Sequence, residues 1–166
     1  KLLWKLKKIE IYTDNLDKEK LINFENNDDQ LFSIIKNQEL YDILERNLLK
    51  NKFFKKKFLN NRNISFVKDY KLIINCDNSH SLTRKYFSNK ILKKYNGNAY
   101  TTIIKHEKIS NDTAIQIFTN IGPLAFLPIS HNETSVVFSI PNYIDKKNIN
   151  ELINFYNFKY KINKIN

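Results

Sequence analysis

The sequence predicts an α+β fold whose second half is an antiparallel sheet. Three observations carry that expectation. After residue 95, four segments of strand length and strand period follow one another through short links, the pattern of sequential antiparallel pairing. Clear helical periodicity is confined to a single long stretch, residues 37–50. Finally, one of the two glycines and two of the three prolines fall within residues 116–130. Gly122 followed by Pro123 makes a hard corner between two apolar strands, because glycine allows backbone geometry that a Cβ resists and proline fixes φ and removes a donor.

Taken in order, the opening places Leu2, Leu3, Leu6 and Ile9 at helical spacing with Trp4 alongside, which predicts the last turns of a helix. The apolar runs 21–24 and 31–35 are separated by Asn26, Asn27, Asp28 and Asp29 and read as a strand pair. Over residues 37–50, Leu40, Ile43, Leu44 and Leu48 form one stripe, with Asn37 as N-cap and Lys50 near the C-terminus. Residues 51–63 are basic and Asn-rich and read as a connector anchored by Phe53, Phe54, Phe58 and Leu59. The run 70–75 has the length and type of a buried strand, followed by a polar loop and a short helix over 82–87. Then come the segments 99–106, 113–119, 124–129 and 134–140. In the last, Val136, Phe138 and Ile140 alternate with Ser135, Val137 and Ser139, the period of a strand with one better-buried face. Residues 148–156 read as a closing helix and 158–165 as a final strand. No repeat or Pro-rich linker marks a second independent domain, so 1–166 is expected to be one partial domain, with a change of character at 94/95.

The 166 residues suffice for one core, and the formal charge of +11 is almost all lysine. Lysine rises together with Asn and Ile under an A/T bias in the gene, so a solvated lysine surface is the expectation. With three arginines, no specific nucleic-acid site is expected. The single Cys76 excludes an internal disulfide framework and a multi-cysteine zinc site, and suits a reducing, cytoplasmic setting. No apolar run of about 18 residues spans a membrane and no leader begins the chain. Peripheral attachment to the inner face of a membrane stays open. There is no methionine, even at position 1, which points to a piece of a longer product.

A phosphate-cradling loop needs several glycines, and Gly97 and Gly122 stand alone. His80, His106 and His131 lack metal-ligand spacing and read as surface or loop histidines. Asp77, Ser79, His80 and Ser81 lie together, but nothing resembles a Gly-x-Ser-x-Gly elbow, so nucleophilic catalysis is not expected. Residues 69–84 place an acceptor, a hydroxyl and a cation, Asp77, Ser81 and Arg84, around one strand-to-helix turn. Such a turn suits a polyanionic cofactor at the carboxyl edge of a sheet. The spacing alone favours an ordinary capped turn in which Asp77 or Ser81 satisfies backbone donors and Arg84 is solvated.

Two segments carry a family resemblance. Residues 75–84, NCDNSHSLTR, resemble the Gly-Ala-Asp-Gly-x-x-Ser-x-x-Arg motif of flavoprotein aromatic hydroxylases, with Asp77, Ser81 and Arg84 in place and Asn75 and Asn78 where that family has glycine. Residues 116–129, QIFTNIGPLAFLPI, resemble the more specific Gln-x-Phe-Thr-x-x-Gly-Pro-x-Ala-x-Leu-Pro-Leu stretch of the ubiquinone-biosynthesis branch. Residues 37–48, NQELYDILERNL, are similar to the helix whose N-terminal end lies near the flavin in that family, and 3–12 to the region before it.

The resemblance implies a para-hydroxybenzoate-hydroxylase-like fold, FAD as cofactor, NAD(P)H as reductant and an oxygen-dependent monooxygenase reaction on a prenylated aromatic substrate. The cofactor carries that chemistry, and the protein orients and shields it. Residues 1–94 would be a remnant of the flavin-side lobe and 95–166 the substrate-side sheet. Asp77, Asn78, Ser81 and Arg84, with Asn37 and Gln38 at the helix start, are the implied cofactor-facing residues. Gly122, Pro123, Leu124, Phe126 and Pro128 are the implied wall on the substrate side, or else a hairpin that only packs the sheet. The family's Gly-x-Gly-x-x-Gly unit and its C-terminal Gly-Asp segment are missing, so no catalytic residue is assigned. Either a flavin lobe is encoded outside this chain, or the chain is a degenerate relative serving as a noncatalytic module that binds a protein partner or a quinone-like lipid.

Overall fold

In the computed structural model the described residues are 3–14, 19–26, 30–58, 69–77, 79–86, 93, 95–142 and 148–166. They form an α+β fold with a mixed sheet and short helices. In chain order the elements are β1 Leu3–Leu6, β2 Lys8–Thr13, β3 Lys20–Glu25, β4 Phe32–Ile35, α1 Asn37–Leu49, α2 Ser81–Tyr86, β5 Gly97–His106, β6 Thr113–Phe118, β7 Pro123–Pro128, β8 Glu133–Pro141, α3 Ile149–Tyr156 and β9 Ile162–Ile165. The chain divides into two compact units, one of residues 1–43 with 96–166 and the other of residues 44–95.

The first unit holds a seven-stranded sheet in the order β3-β2-β6-β7-β8-β5-β9 and a two-stranded sheet of β1 with β4. Within the larger sheet only β2 and β6 run parallel. Strands from both sides of residue 95 therefore share one hydrogen-bonded ladder. The four segments expected as strands after residue 95 are all strands and pair antiparallel among themselves in the order β6-β7-β8-β5.

The N-terminus departs from the helix expected there, because β1 and β2 are strands. The period-two alternation of Ile9 and Ile11 with Lys8, Glu10 and Tyr12 outweighs the helical spacing of Leu2, Leu3, Leu6 and Ile9. This change also re-pairs the next two segments. Residues 21–24 and 31–35 are strands, but β3 joins β2 and β4 joins β1 rather than each other. Once β1 and β2 are extended they offer unpaired backbone donors and acceptors, and two ladders satisfy more of these groups than one hairpin.

One face of the sheet is closed by α3. In β8 every second residue, Thr134, Val136, Phe138 and Ile140, is buried, and the intervening residues are half-buried. Ile115 and Ile117 of β6, Leu124 and Phe126 of β7 and Ile104 of β5 share that face and pack with Ile149, Ile153 and Tyr156 of α3 and with Tyr160. The helix residues recur at the i, i+4, i+7 spacing of one stripe, which keeps all three on the sheet. Each large side chain so buried contributes about 1.5–3 kcal/mol relative to exposure. The opposite face carries Ile9, Ile11, Gln116, Ala125, Leu127 and Val137, all half-buried.

In the second unit α2 is the short helix expected from 82–87, starting at Ser81. The run 70–75 is not the buried strand its composition predicts. It is irregular, and Leu72 and Ile74 are 75% and 79% exposed. Among the described residues no strand pairs with it, and an apolar run gains nothing from extended geometry without a ladder partner. The connector expected over 51–63 is irregular through Phe58 apart from one turn over Lys52 and Phe53, and 59–63 lies outside the described residues.

Candidate functional site

The β6–β7 hairpin turns over Thr119, Asn120, Ile121 and Gly122. Thr119 organises the turn: its Oγ1 accepts hydrogen bonds from the amides of Ile121 and Gly122, at 3.2 and 3.1 Å, and donates to the Gly122 carbonyl at 2.7 Å. A carboxylate oxygen of Asp14, just past β2, accepts from the Asn120 amide at 2.8 Å. The Tyr156 hydroxyl also engages Asp14 and Thr119, and burial first, then the Asp14 carboxylate, raises its pKa. The turn is thus tied to β2 and to the end of α3.

Gly122 is required here by close approach. A Cβ on it would lie 2.0 Å from the Ser139 carbonyl oxygen on β8, a backbone atom that cannot swing aside. Past the corner, Leu124, Phe126 and Pro128 are buried and Pro123 is exposed. Leu124 and Phe126 belong to the core under α3. The two residues of β7 on the other face are Ala125 and Leu127.

Beside this hairpin lies a buried polar chain. The Nδ1 of His106 is 2.7 Å from the Glu107 carbonyl and its Nε2 is 3.0 Å from Thr134 Oγ1. A carbonyl only accepts, so Nδ1 carries a proton. Asn111 Nδ2 donates to Thr134 Oγ1 at 3.0 Å and to the Ser130 carbonyl at 2.8 Å, while Tyr160 OH donates to Asn111 Oδ1 at 3.2 Å. Trp4 Nε1 closes the chain on the Asn111 carbonyl at 2.7 Å. Burial pushes the Tyr160 phenol up to about 12. His106 is therefore a core histidine, 3% exposed, and not the surface histidine expected of it; its place at the inward end of β5 decides this. His131 is exposed and stacks edge-on with Trp4. Among the described residues no group of three or more His, Cys, Asp or Glu side chains is placed to hold a metal.

The Asp77–Arg84 turn lies in the second unit. Asp77 Oδ1 accepts from the Ser79 amide at 2.8 Å and from its hydroxyl at 2.7 Å, and the Ser79 hydroxyl and then its amide hold the Asp77 carboxyl below its usual range. Asn75 Nδ2 donates to Thr83 Oγ1, which donates to the Asp77 carbonyl, both at 2.6 Å. These bonds are those of a capped turn. Ser81 differs: its Oγ is buried with no hydrogen-bond partner among the described residues. An unsatisfied buried hydroxyl costs about 1–3 kcal/mol. Arg84, three residues further along α2, is exposed. Asn78 lies outside the described residues.

Asn37 and Gln38 belong to the first unit. The Lys36 carbonyl accepts from the Leu40 amide at 3.1 Å, so Lys36 is the N-cap and Asn37 is the first helical residue instead of the cap expected. Gln38 Nε2 donates to Asp42 Oδ1 at 2.7 Å along the helix.

No protein-family model matches the chain, and no match emerges from a search of curated proteins.

Sequence reasoning missed Asp14, Asn111 and Tyr160. Each is an ordinary residue in a chain rich in Asn and Tyr, and its role depends on partners 49 to 107 positions away. No local pattern marks such a residue.

Proposed function

We propose that the chain is part, or a degenerate relative, of an FAD-dependent monooxygenase hydroxylating an aromatic ring in ubiquinone biosynthesis, with a para-hydroxybenzoate-hydroxylase-like fold. It would supply the substrate-side sheet and part of the flavin-side lobe. The observation that carries this reading is the 116–129 segment. Its resemblance to the ubiquinone-biosynthesis stretch includes Gly122, the position at which the close approach to Ser139 admits only glycine. A shared glycine at a forced position is better support than a shared surface residue. FAD supplies the redox chemistry when bound. Ser81 and Arg84 would face its phosphates, with the second oxygen of Asp77 toward the remainder of the cofactor. Leu124, Phe126 and Pro128 would act from behind the sheet by holding the hairpin, while Ala125 and Leu127 form its other face.

A second reading is favoured by two specific observations. Asp77 already spends Oδ1 on Ser79, and the run leading into the turn is exposed. Both features suit a noncatalytic module with a hydroxylase-like sheet that binds a protein partner or a quinone-like lipid. Titration with FAD separates the two. Quenching of flavin fluorescence that is lost in Arg84→Ala and Ser81→Ala supports a flavin lobe. A purified full-length product that stays colourless and ignores added FAD establishes the accessory module.

A further inference from the structure

We infer that residues 44–58 form a surface that binds an anionic lipid bilayer. This stretch joins the end of α1 to the irregular segment after it and lies wholly within the second unit. It holds six cations, Arg46, Lys50, Lys52, Lys55, Lys56 and Lys57, against the single carboxylate of Glu45. Glu45 is paired with Lys56. Lys50, Lys55 and Lys57 have no ion-pair partner among the described residues, so half of the six cations are available to an outside anion.

Charge alone would not choose between polyanions, but the apolar side chains interleaved with it do. Phe53 and Phe58 are 82% and 91% exposed, and Leu44, Leu48 and Leu49 are 53%, 46% and 60% exposed. Leu44 and Leu48 stand one helical turn apart and so present one stripe. Lys52 Nζ lies 5.0 Å from the Phe53 ring centre and Lys56 Nζ 5.2 Å from that of Phe58. Each ammonium is thereby held next to an aromatic ring, the pairing that lets a ring enter the acyl boundary while the amine stays at the headgroups. Single-stranded nucleic acid would use the rings for stacking but has no counterpart for exposed leucines. A bilayer takes both, since leucine and phenylalanine transfer into its apolar zone while lysines meet anionic headgroups. The segment has neither the length nor the hydropathy to cross, and no described helix does. The contact is therefore peripheral.

Sedimentation of the full chain with vesicles tests this, using phosphatidylcholine alone and phosphatidylcholine mixed with phosphatidylglycerol. Binding should need the anionic lipid and weaken with salt. Lys55→Ala with Lys57→Ala should lower the partition coefficient about fivefold per lysine. Phe53→Ser with Phe58→Ser should lower it about tenfold or more at unchanged charge. All four side chains are exposed, so melting should be unaltered. Removing Lys161 and Lys164 serves as the charge-matched control. Equal binding to both vesicle types would overturn the assignment. So would equal loss in the control, no effect of the phenylalanine pair, or tighter binding to single-stranded RNA than to anionic vesicles with the same residue dependence.

Discussion

The backbone of Gly122 passes so close to β8 that an added Cβ would stand 2.0 Å from the carbonyl oxygen of Ser139. Substitution must therefore move a strand, since neither group is a side chain that can turn away. Gly122→Ala should lower stability by about 3 kcal/mol in urea unfolding. Gly97→Ala, whose Cβ would meet Ile140 O at 3.1 Å, should cost less than half as much. Equal effects would show that the hairpin corner is not the tight point.

Asn111 is 1% exposed and links Ser130, Thr134 and Tyr160. Replacing it with leucine leaves the Ser130 carbonyl and the Tyr160 hydroxyl without this partner, at about 1–3 kcal/mol for each that water cannot reach, while Thr134 keeps His106. A loss of about 3 kcal/mol is expected. In a double-mutant cycle Asn111→Leu and Tyr160→Phe should couple by about 1 kcal/mol, because each removes the same bond. Strict additivity would mean that the Tyr160–Asn111 bond contributes nothing.

The neutral phenol of Tyr160 is favoured in the folded state, with its pKa pushed up to about 12 by burial. An ordinary tyrosine ionises near 10. Between those values the unfolded chain has lost a proton that the folded chain keeps, so stability present below about pH 10 falls as pH rises toward 12, by up to about 1.4 kcal/mol per unit. Tyr12, also raised by burial and then by Glu10, adds in the same direction. Urea midpoints measured across this range should fall less steeply in Tyr160→Phe than in the parent protein.

Burial works to raise the Glu10 carboxyl, but hydrogen bonds from Lys20 at 2.5 Å and Tyr12 at 2.9 Å outweigh it and lower the pKa. The stability it contributes is present above the ordinary glutamate value and is lost as pH falls through the depressed one. Glu10→Gln should flatten the acid limb of the stability curve. It should cost about 1 kcal/mol or less near neutrality, because the pair is partly exposed.

The Asp77 turn makes a directional prediction. Ser79 holds the Asp77 carboxyl below its usual range, so Ser79→Ala should raise its titration midpoint in carboxyl-resolved NMR. An unmoved midpoint would contradict the capped turn.

Much of the second half was legible because its determinants are local. Alternation in β8 predicted the buried set of Val136, Phe138 and Ile140, and residues 148–156 read as the closing helix that α3 is. The hairpin corner was legible from Gly122 and Pro123, but that Leu124 and Phe126 turn to the α3 side was not. A strand's period shows that two faces differ, never which one a helix will take.

The sequence by itself determined where strand-forming and helix-forming segments lie after residue 95 and where the chain must turn, since propensity, period and Gly-Pro geometry act over a few residues. Tertiary structure alone decided that β2, ending at Thr13, lies beside β6, beginning at Thr113. It also decided that His106 is buried and that 70–75 is not a strand. The physical reason is the same each time: a backbone group or a buried polar atom must be satisfied by a partner, and nothing near it in sequence names that partner.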